Sequence, residues 1–255
     1  MQIFDTHCHL YLDDFANDQD AMMERAKKAG VQKFYLPAID SHTVKELMAM
    51  EEKYPGQCMA MMGLHPCSVK ENYKEELCWV EEWLCKRKFA AIGEIGLDFY
   101  WDKTFSSQQY EAFCQQMEWG LKYDLPIVIH TRNAMDEAIS EVRKFRSRGI
   151  RGIFHCFGGS MEQAIAIIEM GFYLGIGGVV TYKKAGLDEV LKMIDPSHLV
   201  LETDAPYLTP VPFRGKRNES GYLTYILQKL SEIYDLSVET LAGITSSNAQ
   251  KIFGG

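Results

Sequence analysis

Eight short apolar runs, spaced by longer segments of helical period, constrain the fold of this chain more than any other feature. The runs are Ile3–Asp5, Lys33–Pro37, Cys58–Gly63, Ala90–Glu94, Ile127–His130, Gly152–His155, Tyr173–Gly175 and Leu199–Glu202. They show little polar alternation, as expected of parallel strands covered on both faces. The spacing predicts helices over Asp18–Ala29, Thr43–Lys53, Lys74–Lys86, Ser107–Tyr123, Asn133–Arg146, Met161–Met170 and Leu187–Ile194, with Tyr222–Tyr234 and Val238–Ile252 finishing the chain. Ser106, Ser160 and Ser237 read as helix caps, and Gly30 and Gly171 suit helix C-termini. Strand–helix alternation repeated this often means parallel βαβ units, and eight of them close into a barrel. The expected architecture is therefore α/β, a (β/α)8 TIM barrel forming one unit over residues 1–255. An open doubly wound sheet is the competitor, but no Gly-x-Gly-x-x-Gly or Walker-type loop follows the first run.

The polar residues at the ends of these runs carry the chemistry. His7 and His9 follow the first run, Glu94 ends the fourth, His130 the fifth, His155 the sixth, and Asp204 follows the eighth. Scattered histidines have no reason to fall this way, whereas a barrel enzyme holding metal at the carboxyl ends of its strands does. His7 and His9 are two apart, so on a strand they point the same way while Cys8 points opposite. His130 and His155 lie on consecutive strands, and the eighth strand neighbours the first in a closed barrel. Six such residues suit two divalent ions about 3.5–4 Å apart with a bridging water or hydroxide. His7, His9 and Asp204 would hold one ion, His130 and His155 the other, with Glu94 between them. Mixed imidazole and carboxylate ligation admits Mg²⁺, Mn²⁺, Fe²⁺ or Zn²⁺, and no thiolate biases it toward zinc.

Other residues gather around this set. His65 ends the third run and is not needed to fill either ion's shell, so it reads as a substrate contact or a support for a ligand. Glu202 lies two before Asp204 and faces the interior, where it can orient a ligand or touch substrate. Asp98 falls past the fourth run and can hold a loop or a ligand in place. Arg132, two beyond His130, shares its face and is a phosphate candidate, as are Arg214, Lys216 and Arg217 in the loop after the eighth run. Phe99, Tyr100 and Trp101 are equally suited to stacking a base or to forming a hydrophobic lid. His42 and His198 have no partner motif and read as surface residues.

Charge bounds the partners. The formal net charge of −8 does not suit a protein that coats duplex nucleic acid. A nucleic-acid substrate would be engaged at a short end, where two divalent ions add about four positive charges that whole-chain bookkeeping misses. The seven cysteines form no Cys-x-x-Cys pair and read as reduced thiols in a cytosol, with Cys78 and Cys85 on one buried helix face. With an apolar run starting at Ile3, no cleavable signal segment is expected, and no apolar stretch approaches the ~20 residues a membrane span requires. A cytoplasmic location, no membrane and no obligatory protein partner are expected.

The ordered motifs Asp5-Thr6-His7-Cys8-His9-Leu10, Gly63-Leu64-His65-Pro66, Gly93-Glu94-Ile95-Gly96-Leu97-Asp98, His130-Thr131-Arg132, His155-Cys156-Phe157-x-Gly159 and Glu202-Thr203-Asp204-Ala205-Pro206-Tyr207-Leu208 resemble the TatD family of metal-dependent deoxyribonucleases, within the amidohydrolase-like barrels. Pro212-x-Arg214-Gly215-Lys216-Arg217-Asn218-Glu219 completes a match that runs nearly end to end. The resemblance implies a (β/α)8 barrel that hydrolyses phosphodiesters, typically as a 3′–5′ exonuclease on single-stranded DNA or RNA. It also implies that His7, His9, Glu94, His130, His155 and Asp204 are the ligands. The family loop continues Asn-Glu-Pro, whereas here Ser220 follows Glu219. Asp204, with Glu94, would be the catalytic carboxylate, orienting or deprotonating the nucleophile. A rival on the same scaffold is a hydrolase of another ester or amide, such as an aminoacyl-tRNA deacylase, since fold does not fix substrate. A catalytically silent scaffold is the third reading, disfavoured because all six ligands are present.

Overall fold

The computed structural model describes residues 2–254. Eight parallel strands form, β1 Ile3–Asp5, β2 Val31–Leu36, β3 Cys58–Ala60, β4 Ile92–Asp98, β5 Ile127–Arg132, β6 Gly152–Phe154, β7 Tyr173–Ile176 and β8 Leu199–Leu201. Their ladders run β1-β2-β3 and β4-β5-β6-β7-β8. Met62 bridges to Ile92 in parallel, and the Thr6 N–H donates to Leu201 O at 2.9 Å. Those two links close the barrel as expected.

Among the described residues nine α-helices accompany the strands: α1 Gln19–Lys28, α2 Val44–Lys53, α3 Tyr73–Lys86, α4 Ser106–Lys122, α5 Met135–Arg143, α6 Met161–Glu169, α7 Leu187–Leu191, α8 Leu223–Tyr234 and α9 Val238–Phe253. Ser160 caps α6 in a reciprocal box with Gln163, and the Ser237 side chain accepts from the Thr240 N–H at the start of α9. Ser106 does not cap. It is the first helical residue of α4, and its hydroxyl donates backwards to Lys103 O at 2.7 Å. Cys78 and Cys85 are exposed and not a buried face. The buried stripe of α3 is Tyr73, Glu76, Leu77, Val80 and Leu84, and the cysteines sit off that stripe. No helix among the described residues is long and apolar enough to cross a membrane.

Strand periodicity sorts the core into two sets. Ile3, Phe34, Leu36, Ile127, Ile129, Phe154, Leu174, Leu199 and Leu201 pack in the large cluster with the helices. The alternate residues Phe4, Tyr35, Val128, Ile153 and Val200 meet one another, with Met61 and Ala91, inside the barrel. Ala249 and Ile252 of α9 complete that inner layer, and Phe253 stacks on Tyr35 at 3.8 Å between ring centroids. α9 thus plugs one end of the barrel with apolar side chains. Each fully buried side chain of this size contributes roughly 1.5–3 kcal/mol. Two residues further along three of these strands, the same inward face carries His130 above Val128, His155 above Ile153 and Glu202 above Val200. The apolar plug and the polar mouth are one strand pattern read at two heights.

Candidate metal centre

Glu94 does not end its strand. β4 runs on to Asp98, and its pairing with β5 slips between Ile92 and Ile95, so that Ile92 faces Ile127 and Ile95 faces Ile129. Three residues of β4 are matched by two of β5, a bulge of the kind that re-aims side chains next to active sites. Gly96 then brings β4 close to its neighbour at φ 143°, where a Cβ would lie 2.1 Å from His130 O. Only glycine fits there. The result is a Glu94 carboxylate, 2% exposed, directed into the middle of the mouth.

Its two oxygens face two groups of donors. Glu94 Oε2 lies 3.1 Å from His7 Nε2 and 3.5 Å from His9 Nε2, and Asp204 Oδ1 lies 3.7 and 3.5 Å from the same two nitrogens. His7 Nε2 and His9 Nε2 are 3.3 Å apart. A tetrahedral ion with bonds of about 2.0–2.1 Å has ligand–ligand edges of about 3.3 Å, so these four atoms have the spacing of one ion's shell. On the other side, Glu94 Oε1 is 2.7 Å from His130 Nδ1, 2.9 Å from His155 Nε2 and 3.4 Å from His65 Nε2. The six sequence-predicted ligands are therefore brought together, four of the chain's seven histidines among them with His65 alongside, and the donor set fits a pair of divalent ions.

The second nitrogen of each ring decides which atom has a lone pair to offer. Tyr11 donates its hydroxyl hydrogen to Pro37 O at 2.7 Å, so its oxygen accepts from His9 Nδ1 at 3.1 Å and His9 Nε2 is left as donor to an ion. Asp98 Oδ2 accepts from His130 Nε2 at 2.9 Å, leaving Nδ1. Glu202 Oε1 lies 3.4 Å from His155 Nδ1, within ion-pair reach but outside a well-aligned hydrogen bond, leaving Nε2. His65 is the reverse case. Its Nδ1 accepts from the Cys67 N–H at 3.0 Å, so the neutral ring carries its proton on Nε2. His65, Glu94 and His130 are close enough to surround an ion, but this tautomer makes His65 a hydrogen-bond donor.

Electrostatics follow from crowding these groups in a buried mouth. Burial pushes Glu94 up, but the charges of His155, His65 and His7 and the bond from His130 together hold it well below the usual carboxylate range. Burial alone would lower His9, yet its bonds to Asp204 and Glu94 carry it to about 9. His130 and His155 are likewise raised against burial, by Asp98 and Glu94 in one case and by Glu94 and Glu202 in the other. His7 is lowered by burial and by the neighbouring His155, whose ring stacks on it at 3.9 Å. The carboxylates thus stay ionised, while His9, His130 and His155 hold protons that a cation would have to displace.

Several supports complete the centre, and of these only Glu202 has a sequence signal strong enough to single it out. Gln109 and Gln116, seven apart on one face of α4, clamp the backbone at Asp98 and Leu64 through paired bonds of 2.9 and 3.2 Å and of 2.7 and 3.1 Å. Asp5 accepts from the Thr203 N–H and hydroxyl at 2.9 and 2.6 Å, tying β1 to the turn that presents Asp204. Glu202 is packed against Gly175, where a Cβ would lie 2.2 Å from its Oε2, and also accepts from the Cys156 N–H.

The mouth opens into a cavity of about 710 Å³ whose lining includes Trp101, Arg132, Tyr207 and Leu208. Apart from histidine, Arg132 is the one basic side chain among its described lining residues. The basic loop is elsewhere. Arg217 is tied to both oxygens of Asp18 at 2.6 and 2.8 Å and lies over Phe15. Arg214 is exposed and rests on Tyr182, 4.0 Å from its centroid, and Lys216 is exposed above Phe213. Asn218 staples the loop to Thr203 O and Tyr207 O at 2.8 and 2.6 Å, and the buried Ser220 opens a 3-10 turn leading into α8. His42 is exposed and His198 half-buried, both outside the centre.

Comparison with known proteins agrees with this geometry. The family model for TatD-related DNases matches residues 4–254. A Bacillus subtilis protein named uncharacterized metal-dependent hydrolase YabD is 38% identical over 252 residues, covering 98% of each chain. The 3′-5′ ssDNA/RNA exonuclease TatD of Pantoea ananatis is 31% identical over 258 residues, covering 99% of each. Among solved structures, the Escherichia coli TatD homologue YjjV superposes with a TM-score of 0.93 at 28% identity, covering 99% of this chain and 98% of the other.

Proposed function

Since the chain belongs to the TatD-related DNase family and is a metal-dependent hydrolase, we propose that it removes nucleotides from the 3′ ends of single-stranded DNA or RNA. The observation that carries this reading is the carboxylate of Glu94, shared between the His7, His9 and Asp204 side and the His130 and His155 side. Bound divalent ions would supply Lewis acidity at the phosphoryl group and make water acidic enough to attack at neutral pH. The residues do the rest. His7, His9, Glu94 and Asp204 would hold one ion, and Glu94, His130 and His155 the other. Asp204, its side chain 15% exposed at the mouth, takes the proton released by the attacking water. His65 presents an N–H to the reacting centre. Arg132, lining the same cavity, holds a phosphate oxygen with its planar fork. A cavity lined by a single arginine favours one strand end over a duplex, in keeping with the net charge of −8.

The test is a single-stranded oligonucleotide labelled at its 5′ end and incubated with the protein and Mg²⁺ or Mn²⁺. A ladder of progressively shorter labelled products, absent with Glu94→Ala, is expected. An intact oligonucleotide under every metal, with hydrolysis of an aminoacyl ester instead, would transfer the assignment to another ester on the same centre.

A further inference from the structure

β4 ends at Asp98, and the three aromatic residues that follow part at once. Phe99 turns inward against Tyr110, with ring centroids 5.9 Å apart, and its N–H continues the ladder to Arg132 O at 2.9 Å. Tyr100 and Trp101 remain 52% and 67% exposed, their rings edge to face at 4.9 Å. The Arg132 guanidinium lies 3.9 Å from the Tyr100 centroid and 4.9 Å from that of Trp101.

This edge of the mouth is fixed in place. Asp98 Oδ1 accepts the N–H groups of Tyr100 and Trp101 at 2.9 and 3.2 Å, while its Oδ2 holds His130 at 2.9 Å. One carboxylate therefore orients a candidate ligand and anchors the aromatic turn. A lid would need to swing over the cavity, which this anchoring opposes. An aromatic face at a polar, cationic edge also differs from an apolar docking groove. A chain of net charge −8 cannot hold a strand by phosphate contacts spread over its surface, so a grip on one base plus one cation suits it better.

We propose that Tyr100 and Trp101 form a stacking platform for the nucleobase next to the cleaved bond, with Arg132 as the cation for the adjoining phosphate. The platform rests on the exonuclease reading above and gives it a specificity element. It selects for the presence of a base but not for its identity, because every base offers a π-face.

The experiment compares two 5′-labelled single strands, one ending in a normal 3′ nucleotide and one in an abasic 3′ residue. The wild-type chain should prefer the base-bearing strand by about 10- to 100-fold in kcat/KM, the size of one stacked base. Trp101→Ala should collapse that preference toward unity, and Trp101→Phe should restore most of it. Equal cleavage of the two strands by the wild-type chain overturns the platform, as does an undiminished preference in Trp101→Ala. If neither strand is cleaved, the exonuclease reading fails and the platform is judged by binding. In Mg²⁺, thymidine monophosphate should quench the fluorescence of exposed Trp101 while 2-deoxyribose 5-phosphate does not, and Trp101→Ala should abolish the quench. Equal quenching by both probes, or quenching by neither, again overturns it.

Discussion

On the Oε2 side of Glu94 the donors come from the seam where the barrel closes, His7 and His9 after β1 and Asp204 after β8. On the Oε1 side they come from adjacent strands, His130 in β5 and His155 just after β6. The far nitrogens of these rings are supported differently. His9 leans on the neutral hydroxyl of Tyr11 and His7 Nδ1 has no hydrogen-bond partner, whereas His130 and His155 face the carboxylates of Asp98 and Glu202. The first side carries its negative charge in Asp204, which would touch an ion directly. The second carries it one bond further out, where it makes the imidazoles more basic. One chain has thus built two cation sites of similar composition by opposite routes, and they should respond differently to the same perturbation.

Glu94→Gln should be the most damaging change, because it weakens both sides at once. Turnover should fall by about 10³-fold or more, and metal analysis should find fewer than two ions per chain. Retention of two ions with full activity would dissolve the comparison, since nothing would then join the halves.

The pH dependence of metal binding should separate the halves next. Before an ion binds, His9 is raised to about 9 while His7 is lowered, so the first side gives up one proton. His130 and His155 are both raised, so the second gives up two. Protons and cations compete, so affinity rises with pH while these rings are protonated in the metal-free protein, by roughly tenfold per pH unit for one proton and roughly hundredfold for two, and for His9 the rise levels off above about 9. The sign is opposite for stability of the metal-free protein. A histidine raised in the folded state stabilises it fully below its unfolded value of 6.5, and for His9 that contribution is lost as pH rises through about 9. Calorimetric titration with Mn²⁺ across this window should give two slopes, and a single shared slope would refute the asymmetry.

Removing the supports should give smaller, one-sided losses. Asp98→Asn or Glu202→Gln should weaken one ion by about 10- to 100-fold and leave the other unchanged. Tyr11→Phe removes a neutral bond to His9 and should cost the opposite side only a few-fold, about 1 kcal/mol. Competition with a chelator measures both. Equal losses from Asp98→Asn and Tyr11→Phe would mean that the charge of the supporting group does not matter here.

The parts of this centre that were legible in the sequence share one property: each is encoded by position along a strand. Period two and the ends of apolar runs locate His7, His9, His130, His155 and Glu202 without any tertiary information. Asp98 and Glu202 are supports legible from the same runs, whereas the other supports are legible only in space. Tyr11 reaches His9 because the chain turns after β1, and Gln109 and Gln116 clamp two strand ends from a helix whose glutamines look like ordinary surface residues. The bulge that aims Glu94 inward and extends β4 to Asp98 depends on a slip against β5, which no single run of residues displays. The basic loop shows the reverse hazard. Arg217 has the composition of a phosphate contact, but the fold places Asp18 beside it and uses its charge to fasten the loop to the start of α1.

His65 provides the finest test of the comparison, because it sits with the second side yet should not belong to it. Its Nε2 lies 3.4 Å from Glu94 Oε1, a distance that composition alone would assign to a ligand. The Cys67 N–H on its Nδ1 argues otherwise, since a ring that accepts at one nitrogen must donate at the other while neutral. Burial lowers the pKa of His65, which favours that neutral form. His65→Asn should therefore leave metal content at the wild-type value while lowering kcat, as loss of a donor aimed at a reacting centre does. Loss of an ion in His65→Asn would make the ring a ligand and reverse its tautomer. The second side would then hold three imidazoles, and the case for its dependence on Asp98 and Glu202 would weaken with it.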